Sequence, residues 1–224
     1  MNDIAAVTFD LDGTLYSSSA LKRPLLWATF PRWRTLRVGR RVREELRGQR
    51  FVDGAALLQK EAEIAAERLE RDVDTTKQAL HRLFDVDVCR VLKRVGPRPE
   101  ARAVLEGLVA RDIKIAVISD RGSIVDKLTA VGLHDLPWAA LISADDVGAL
   151  KPDPLLFTRA AEACGVDVGR VLHVGDRRDC DEAGARAAGC FAFTIDPQRR
   201  RPLDDIAEAM SLLAHFSGIG EQAR

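Results

Sequence analysis

The chain has 224 residues, with 34 Lys and Arg balanced by 34 Asp and Glu, so its formal net charge is zero. With 46% hydrophobic and 30% charged residues it has the composition of a soluble globular protein that can bury a core, which excludes whole-chain disorder and argues against wholesale charge-driven binding to nucleic acid. No run approaches the ~18 consecutive apolar residues of a membrane-spanning helix; the first apolar run is too short for a signal-peptide core and lacks a cationic leader; and Cys89, Cys164, Cys180 and Cys190 form no C-x-x-C pair, so a reduced, cytoplasmic protein with free thiols is expected.

Ile4–Phe9 is a short apolar run that ends in Asp10-Leu11-Asp12-Gly13-Thr14, and similar runs recur at Ile113–Ile118, Ala139–Ile142, Val171–Val174 and Phe191–Ile195. Bounded by polar or Gly residues, they predict buried strands. Residues 17–96 break the rhythm. They hold no strand-like run, and Val38, Val42 and Leu46, then Leu58, Ala62 and Ala65, then Leu80, Phe84, Val88 and Leu92 recur at helical spacing. Asp53 and Asp74 are placed to cap helices, and Gly96-Pro97-Arg98-Pro99 reads as a stiff return linker.

Beyond the linker, helices are predicted over Glu100–Arg111, Ser123–Val131, Pro154–Cys164 and Glu182–Ala188. Asp153-Pro154 opens the third of them, and Gly165 and Gly189 close the last two. Their alternation with the strands implies a parallel sheet covered on both faces. The expected fold is therefore α/β: a Rossmann-like three-layer core made of residues 1–16 and 97–224, with an all-helical domain, 17–96, inserted after the first strand. A final amphipathic helix is expected over Asp204–His215, with Ser217–Arg224 frayed.

In open parallel sheets, ligands sit outside the carboxyl ends of the strands. Asp10 and Asp12 follow the first strand, Ser119 and Asp120 the second, Lys151 the third, and Gly175-Asp176 with Asp179 and Asp181 the fourth. Carboxylates gathered in one crevice repel one another unless a cation joins them, and hard divalent ions prefer oxygen ligands. A carboxylate can attack phosphorus, while Lys and Ser hold phosphoryl oxygens. The set therefore suits phosphoryl transfer. A calcium loop starting at Asp10 is excluded, because Leu15 and Leu21 stand where that template needs Gly and Glu.

Four motifs occur in order: Asp10-Leu11-Asp12-Gly13-Thr14-Leu15, Ile118-Ser119, Lys151-Pro152-Asp153-Pro154, and Gly175-Asp176 with Asp181 and Gly184-Ala185. With them the chain resembles the haloacid dehalogenase superfamily of hydrolases, specifically its phosphatase branch with a helical (C1-type) cap, over nearly its whole length. The resemblance implies a Mg²⁺-dependent phosphatase acting on a small phosphorylated metabolite. Asp10 would be the nucleophile and Asp12 the general acid and base. Thr14, through the loop it shares with Gly13, and Ser119 and Lys151 would bind phosphate. Mg²⁺ would be held by the Asp10 and Asp176 carboxylates and the Asp12 backbone carbonyl, with Asp181 and Asp120 as supporting residues.

Asp120 departs from the family pattern, in which a neutral residue often follows the serine. A carboxylate beside a phosphate pocket is unfavourable unless paired, and Arg121, Arg177 or Arg178 is the expected partner. His173 is read as a satisfied core histidine, Asp179 as a structural partner and Cys180 as incidental. A dehalogenase of the same fold would not need Asp12. A phosphomutase of the same superfamily, or a non-catalytic protein that binds phosphate, is also compatible with the motifs.

Lys22–Arg50 carries ten Lys and Arg against Glu44 and Glu45, with Trp27, Phe30 and Trp33 interleaved. The arm thus holds a surplus of eight positive charges, and the rest of the chain an equal negative one. The favoured reading is a solvated face of the insertion, its aromatics packed onto neighbouring helices or over the mouth of the site. An electropositive funnel for substrate, and contact with nucleic acid or an anionic membrane, rank below it.

Overall fold

In the computed structural model, which describes residues 4–206 and 208–210, the five apolar runs are the five strands of one sheet. They are β1 (Ala6–Asp10), β2 (Lys114–Ser119), β3 (Trp138–Ser143), β4 (Val171–Gly175) and β5 (Phe191–Thr194). All pair in parallel, in the order β3-β2-β1-β4-β5. β1 is flanked on both sides, which is why all five of its residues are buried. The chain first moves outward from β1 through β2 to β3, then restarts at β4 on the other side. Right-handed crossovers place the helices of the two halves on opposite faces, and the order reverses between β1 and β4. Those adjacent strands end in Asp10 and, one residue past the end of β4, Asp176.

The insertion between β1 and β2 contains α1 (Ser18–Ala28), α2 (Trp33–Glu45), α3 (Gly54–Leu69), α4 (Val73–His81) and α5 (Val88–Val95), with no named strand among them. Ser17 caps α1, and Asp53 caps α3 by accepting the Ala56 N–H at 2.8 Å. The cap of α4 is Asp72, which accepts the Thr75 N–H at 2.9 Å from an extended backbone. Asp74 instead lies within the first turn, where its charge still favours the helix dipole. The buried stripe of α3 runs through Leu57 rather than Leu58.

The remaining helices are α6 (Ala101–Val109) ahead of β2, α7 (Ile124–Ala130), α8 (Ala144–Val147), α9 (Leu155–Cys164) and α10 (Ala183–Ala188). The Asp153 carboxylate accepts the Leu155 N–H at 2.9 Å, and Gly165 and Gly189 end α9 and α10 in the left-handed conformation, as expected. At the C-terminal end, Pro202–Asp205 is a 3₁₀ turn. Most of the expected Asp204–His215 helix, and Ser217–Arg224, lie outside the described residues.

The insertion is sewn to the sheet by close contact. A Cβ on Gly54, at the start of α3, would lie 1.7 Å from the Asp145 carbonyl oxygen on α8. Gly54→Ala therefore forces that seam apart, at about 1–3 kcal/mol, the usual cost of overpacking. Urea unfolding of the variant should show the loss, and an unchanged midpoint would show the seam to be pliable. Among the described residues, no helix is long and apolar enough to cross a membrane.

Candidate active site

The loop that leaves β1 turns through Gly13, at φ +122°, where a side chain would meet the Asp176 carboxylate at 2.3 Å. Only glycine lets this loop approach the end of β4 so closely. The loop is held from behind by Arg98, 5% exposed, which donates to the Gly13 and Thr14 carbonyls at 2.7 and 2.9 Å. What reads as a stiff linker in sequence thus carries the clamp of the loop.

Asp10 is buried at the end of β1. One of its oxygens accepts the Thr14 hydroxyl at 2.9 Å and the other accepts Lys151 Nζ at 2.6 Å. Lys151 also donates to Asp181 at 2.6 Å. Asp181 in turn accepts the Arg177 N–H at 3.0 Å and lies 3.4 Å from His173 Nε2. Asp10, Asp176 and Asp181 each place a carboxylate oxygen within 4.8 Å of the others.

One ammonium cannot neutralise three acids. Burial, reinforced by Asp181, Asp176 and Asp12, overcomes Lys151 and pushes the Asp10 carboxyl up to about 7. Burial and the Asp181 charge likewise raise Asp176. Burial acts against Asp181 as well, but Lys151 and the His173 hydrogen bond hold it well below the usual carboxylate range. Asp10 and Asp176 thus hold protons more readily than an ordinary carboxylate, and a nearby cation would oppose this.

Asp12 is differently held. Its carboxylate accepts the Tyr16 hydroxyl and Lys127 Nζ (3.0 Å to one oxygen, 3.3 Å to the other), with the Ser119 hydroxyl at 3.5 Å. Burial would raise this carboxyl, but Lys127 and the Tyr16 hydrogen bond lower it.

Asp10, Asp12, Asp120, Lys151, Asp176 and Asp181 line one cavity of about 240 Å³, whose other wall comes from α1, α2 and the start of α5 through Leu21, Leu25, Arg40, Arg43, Arg47 and Val88. Two expected phosphate ligands stand behind this lining. Thr14 and Ser119 are fully buried; the Thr14 hydroxyl is spent on Asp10, and the Ser119 hydroxyl accepts the Arg121 N–H at 3.1 Å. The Thr14 hydroxyl therefore orients Asp10, and the expected contact of this residue with phosphate rests on the loop backbone.

Asp120 pairs with Arg47, just past α2, at 2.7 Å, and not with Arg121, Arg177 or Arg178. Its second oxygen accepts the Lys151 N–H at 2.8 Å, while Arg47 also donates to the Lys151 carbonyl. Arg121 and Arg177 are drawn elsewhere, to Glu61 at 2.7 Å and Glu44 at 2.7 Å. A buried group runs beside this bridge, with Arg43 on Glu61 and Asp145, and Arg121 stacked 3.9 Å from the Phe84 ring centre. The extra carboxylate is thus the point where the insertion grips the backbone of the lysine that holds Asp10.

If so, Arg47→Met and Asp120→Asn act on one device. Each is expected to raise KM several-fold, and the double variant to cost little more than either single one. Additive costs would separate the two residues.

His173 is buried between Thr8, at 2.9 Å, and Asp181, and burial lowers its pKa, as a neutral core histidine should be. Asp179 pairs with Arg177. Burial pushes the Cys180 thiol up to about 12, so it is unreactive. No motif singles out Tyr16, Lys127, Arg43, Arg47 or Arg98. Lys127 does leave a signal, for it lies on the apolar face of α7 formed by Ile124, Leu128 and Val131.

A family model described as haloacid dehalogenase-like hydrolase matches residues 4–189. The chain is 29% identical over 220 residues to the phosphatase MT3486 of Mycobacterium tuberculosis, covering 97% of this chain and 99% of that one. It is 30% identical over 210 residues to a phosphoglycolate phosphatase of Caulobacter vibrioides, covering 86% and 82%. The magnesium-bound HAD-hydrolase YfnB of Bacillus subtilis shares the fold at 13% identity, with a TM-score of 0.67 over 93% of this chain and 99% of that one. The chain belongs to the haloacid dehalogenase-like hydrolase family, among its phosphatases.

Proposed function

We propose that the protein hydrolyses a small phosphate monoester with the help of Mg²⁺, by way of a phosphoryl group carried on Asp10. The observation that carries this reading is the pairing of two acids held in opposite ways on one cavity wall. Asp10 is buried, oriented by Thr14 and bonded to Lys151, and Asp12 is fixed two residues on by Tyr16 and Lys127.

The donor set fits the metal. Asp10, Asp176 and Asp181 offer hard oxygens within 4.8 Å of one another, and burial together with the neighbouring acids raises Asp10 against the pull of Lys151, so a further positive charge there would favour its carboxylate form. Bound there, Mg²⁺ would let Asp10 ionise and offset charge on the phosphoryl oxygens. The Asp12 backbone carbonyl remains a candidate ligand beside these carboxylates.

The rest falls to the chain. Asp10 attacks phosphorus, and Lys151 offsets charge on the phosphoryl group as it moves. Asp12 gives its proton to the leaving alcohol; a dianionic phosphate beside it favours the protonated form needed at that moment. After the alcohol departs, Lys127 and Tyr16 favour the carboxylate form, which takes a proton from the attacking water. The investment in Asp12 speaks against carbon–halogen chemistry, which does not need a second acid. Residues 17–96 would serve as the cap, excluding water and choosing the substrate. The cavity of about 240 Å³ suits a small metabolite, and four free thiols suit a reducing, cytoplasmic setting.

A panel of small phosphate esters, assayed with and without chelator, tests the reading. Chelation should abolish release of phosphate and added Mg²⁺ restore it. Turnover that persists in chelator would overturn the metal assignment.

A further inference from the structure

The aromatic residues of the basic arm do not pack as the sequence leads one to expect. Leu26, Trp27, Phe30 and Trp33 are 52%, 79%, 67% and 46% exposed, and none lines the active-site cavity. They lie within eight residues, at the end of α1, in the 3₁₀ turn Phe30–Arg32 and at the start of α2. The other exposed large apolar residues among those described are single valines. Isolated exposed apolar side chains need no explanation, but a contiguous group of this size marks a contact surface.

The charge around the group says what kind. From Gly13 to Arg43 there is no carboxylate in 31 residues, while eight Lys and Arg occur. Several of the arm's cations have partners: Arg32 pairs with Asp87 at 2.9 Å, and Arg43, Arg47 and Arg50 pair with acids of the core or insertion. Lys22, Arg23, Arg34 and Arg37 are exposed and make no ion pair among the described residues. These four cations therefore border Trp, Phe and Leu side chains that face water. Indole and phenyl rings favour the boundary between headgroup and acyl chain, and Lys and Arg favour anionic headgroups.

We propose that this helix–turn–helix face seats on an anionic lipid surface. The buried sides of the same helices wall the substrate cavity through Leu21, Leu25 and Arg43, so a docked enzyme would present its cap, not its sheet, to the membrane. Stacking on nucleic acid would also use aromatics and cations, but it has no role for Leu26. Contact with a second copy would set two cationic faces against each other.

The test is co-sedimentation of the full chain with vesicles of phosphatidylcholine alone, and with vesicles in which about one third is phosphatidylglycerol. Binding should occur only to the anionic vesicles, weaken as salt rises, and shift tryptophan emission to the blue. Trp27→Ser/Phe30→Ser and Arg23→Gln/Arg34→Gln should each lower partitioning about ten-fold or more. Unchanged turnover of a soluble aryl phosphate shows that these variants fold. Absence of binding, equal binding to both vesicle types, or variants that partition like the parent would overturn the proposal. So would dimerisation lost in Trp27→Ser/Phe30→Ser, or tighter binding to a single-stranded oligonucleotide than to anionic lipid.

Discussion

Asp10→Asn is expected to lower kcat by at least ~10³–10⁴-fold, the scale of losing a nucleophile when the rest of a site remains. The substitution preserves shape: the amide oxygen can still accept from Lys151, while the amide NH2 donates to the Thr14 hydroxyl, which can accept as well as donate. It removes the negative charge that Lys151 holds at 2.6 Å, but Lys151 retains Asp181 at the same distance. The ammonium is therefore not orphaned, and the variant should fold. Substrate binding should change far less than turnover, because the remaining phosphate-facing groups stay in place. Stopped activity with intact thermal unfolding and near-normal affinity for inorganic phosphate would match this mechanism. A variant that retains more than about a tenth of its rate would remove Asp10 from the reaction.

The second large effect concerns Asp12. Asp12→Asn should cost ~10²–10⁴-fold in kcat for an alkyl phosphate, the range of a general acid–base group. The cost should be smaller in the first half-reaction for an aryl phosphate, whose leaving group needs no proton. Lys127→Met is the companion change. Lys127 lies 3.0 Å from the Asp12 carboxylate and helps hold its pKa below the ordinary value. Without the ammonium that pKa rises, so the carboxylate form is lost at a higher pH on acidification. The acid limb of the kcat profile should accordingly move to higher pH, with a lower plateau if water activation limits the rate. A profile that keeps its acid limb, or moves it to lower pH, would show that Lys127 does not tune the base.

Much of this arrangement is legible in the amino-acid sequence. Five strands betray themselves as apolar runs, and β1, β2 and β4 are buried because a central parallel sheet covers both of its faces, whereas the edge strands β3 and β5 are largely half-buried. Asp10, Ser119 and Asp176 are marked by their places at or just beyond strand ends, and Lys151, which follows β3 only after α8, by the Pro152-Asp153-Pro154 run behind it. What stays hidden depends on side-chain reach across the fold. Asp120 meets Arg47 because the insertion folds back over β2, and no local pattern states which of ten arginines and lysines will arrive there. The same applies to Arg98, whose guanidinium reaches the Gly13 and Thr14 carbonyls 84 or more positions away.

The burial of Thr14 is a subtler case. Sequence places the residue beside the phosphate, but only the turn at Gly13 decides that its hydroxyl faces Asp10. The cap of α4 is Asp72 rather than Asp74 for a local reason, since both positions carry Asp and the chain becomes helical at the earlier one. The exposure of Trp27 and Phe30 is the largest departure. The sequence reading packs these aromatics onto neighbouring helices or over the mouth of the site, yet Leu21, Leu25 and Thr29 occupy the buried side of that segment and leave the rings outside.

A phosphoryl group borne by Asp10 is the centre of the mechanism, and the Asp12→Asn enzyme offers the most direct measurement of it. With an aryl phosphate, this variant should form the intermediate but fail to activate the water that clears it. The result expected is a burst of one equivalent of phenolate per site; reduction of the acyl phosphate by tritiated borohydride, which expels phosphate and leaves a tritiated homoserine, should then place the label in the peptide that contains residue 10. A label on any other residue, or steady turnover from the first equivalent with no burst and no label, would contradict it.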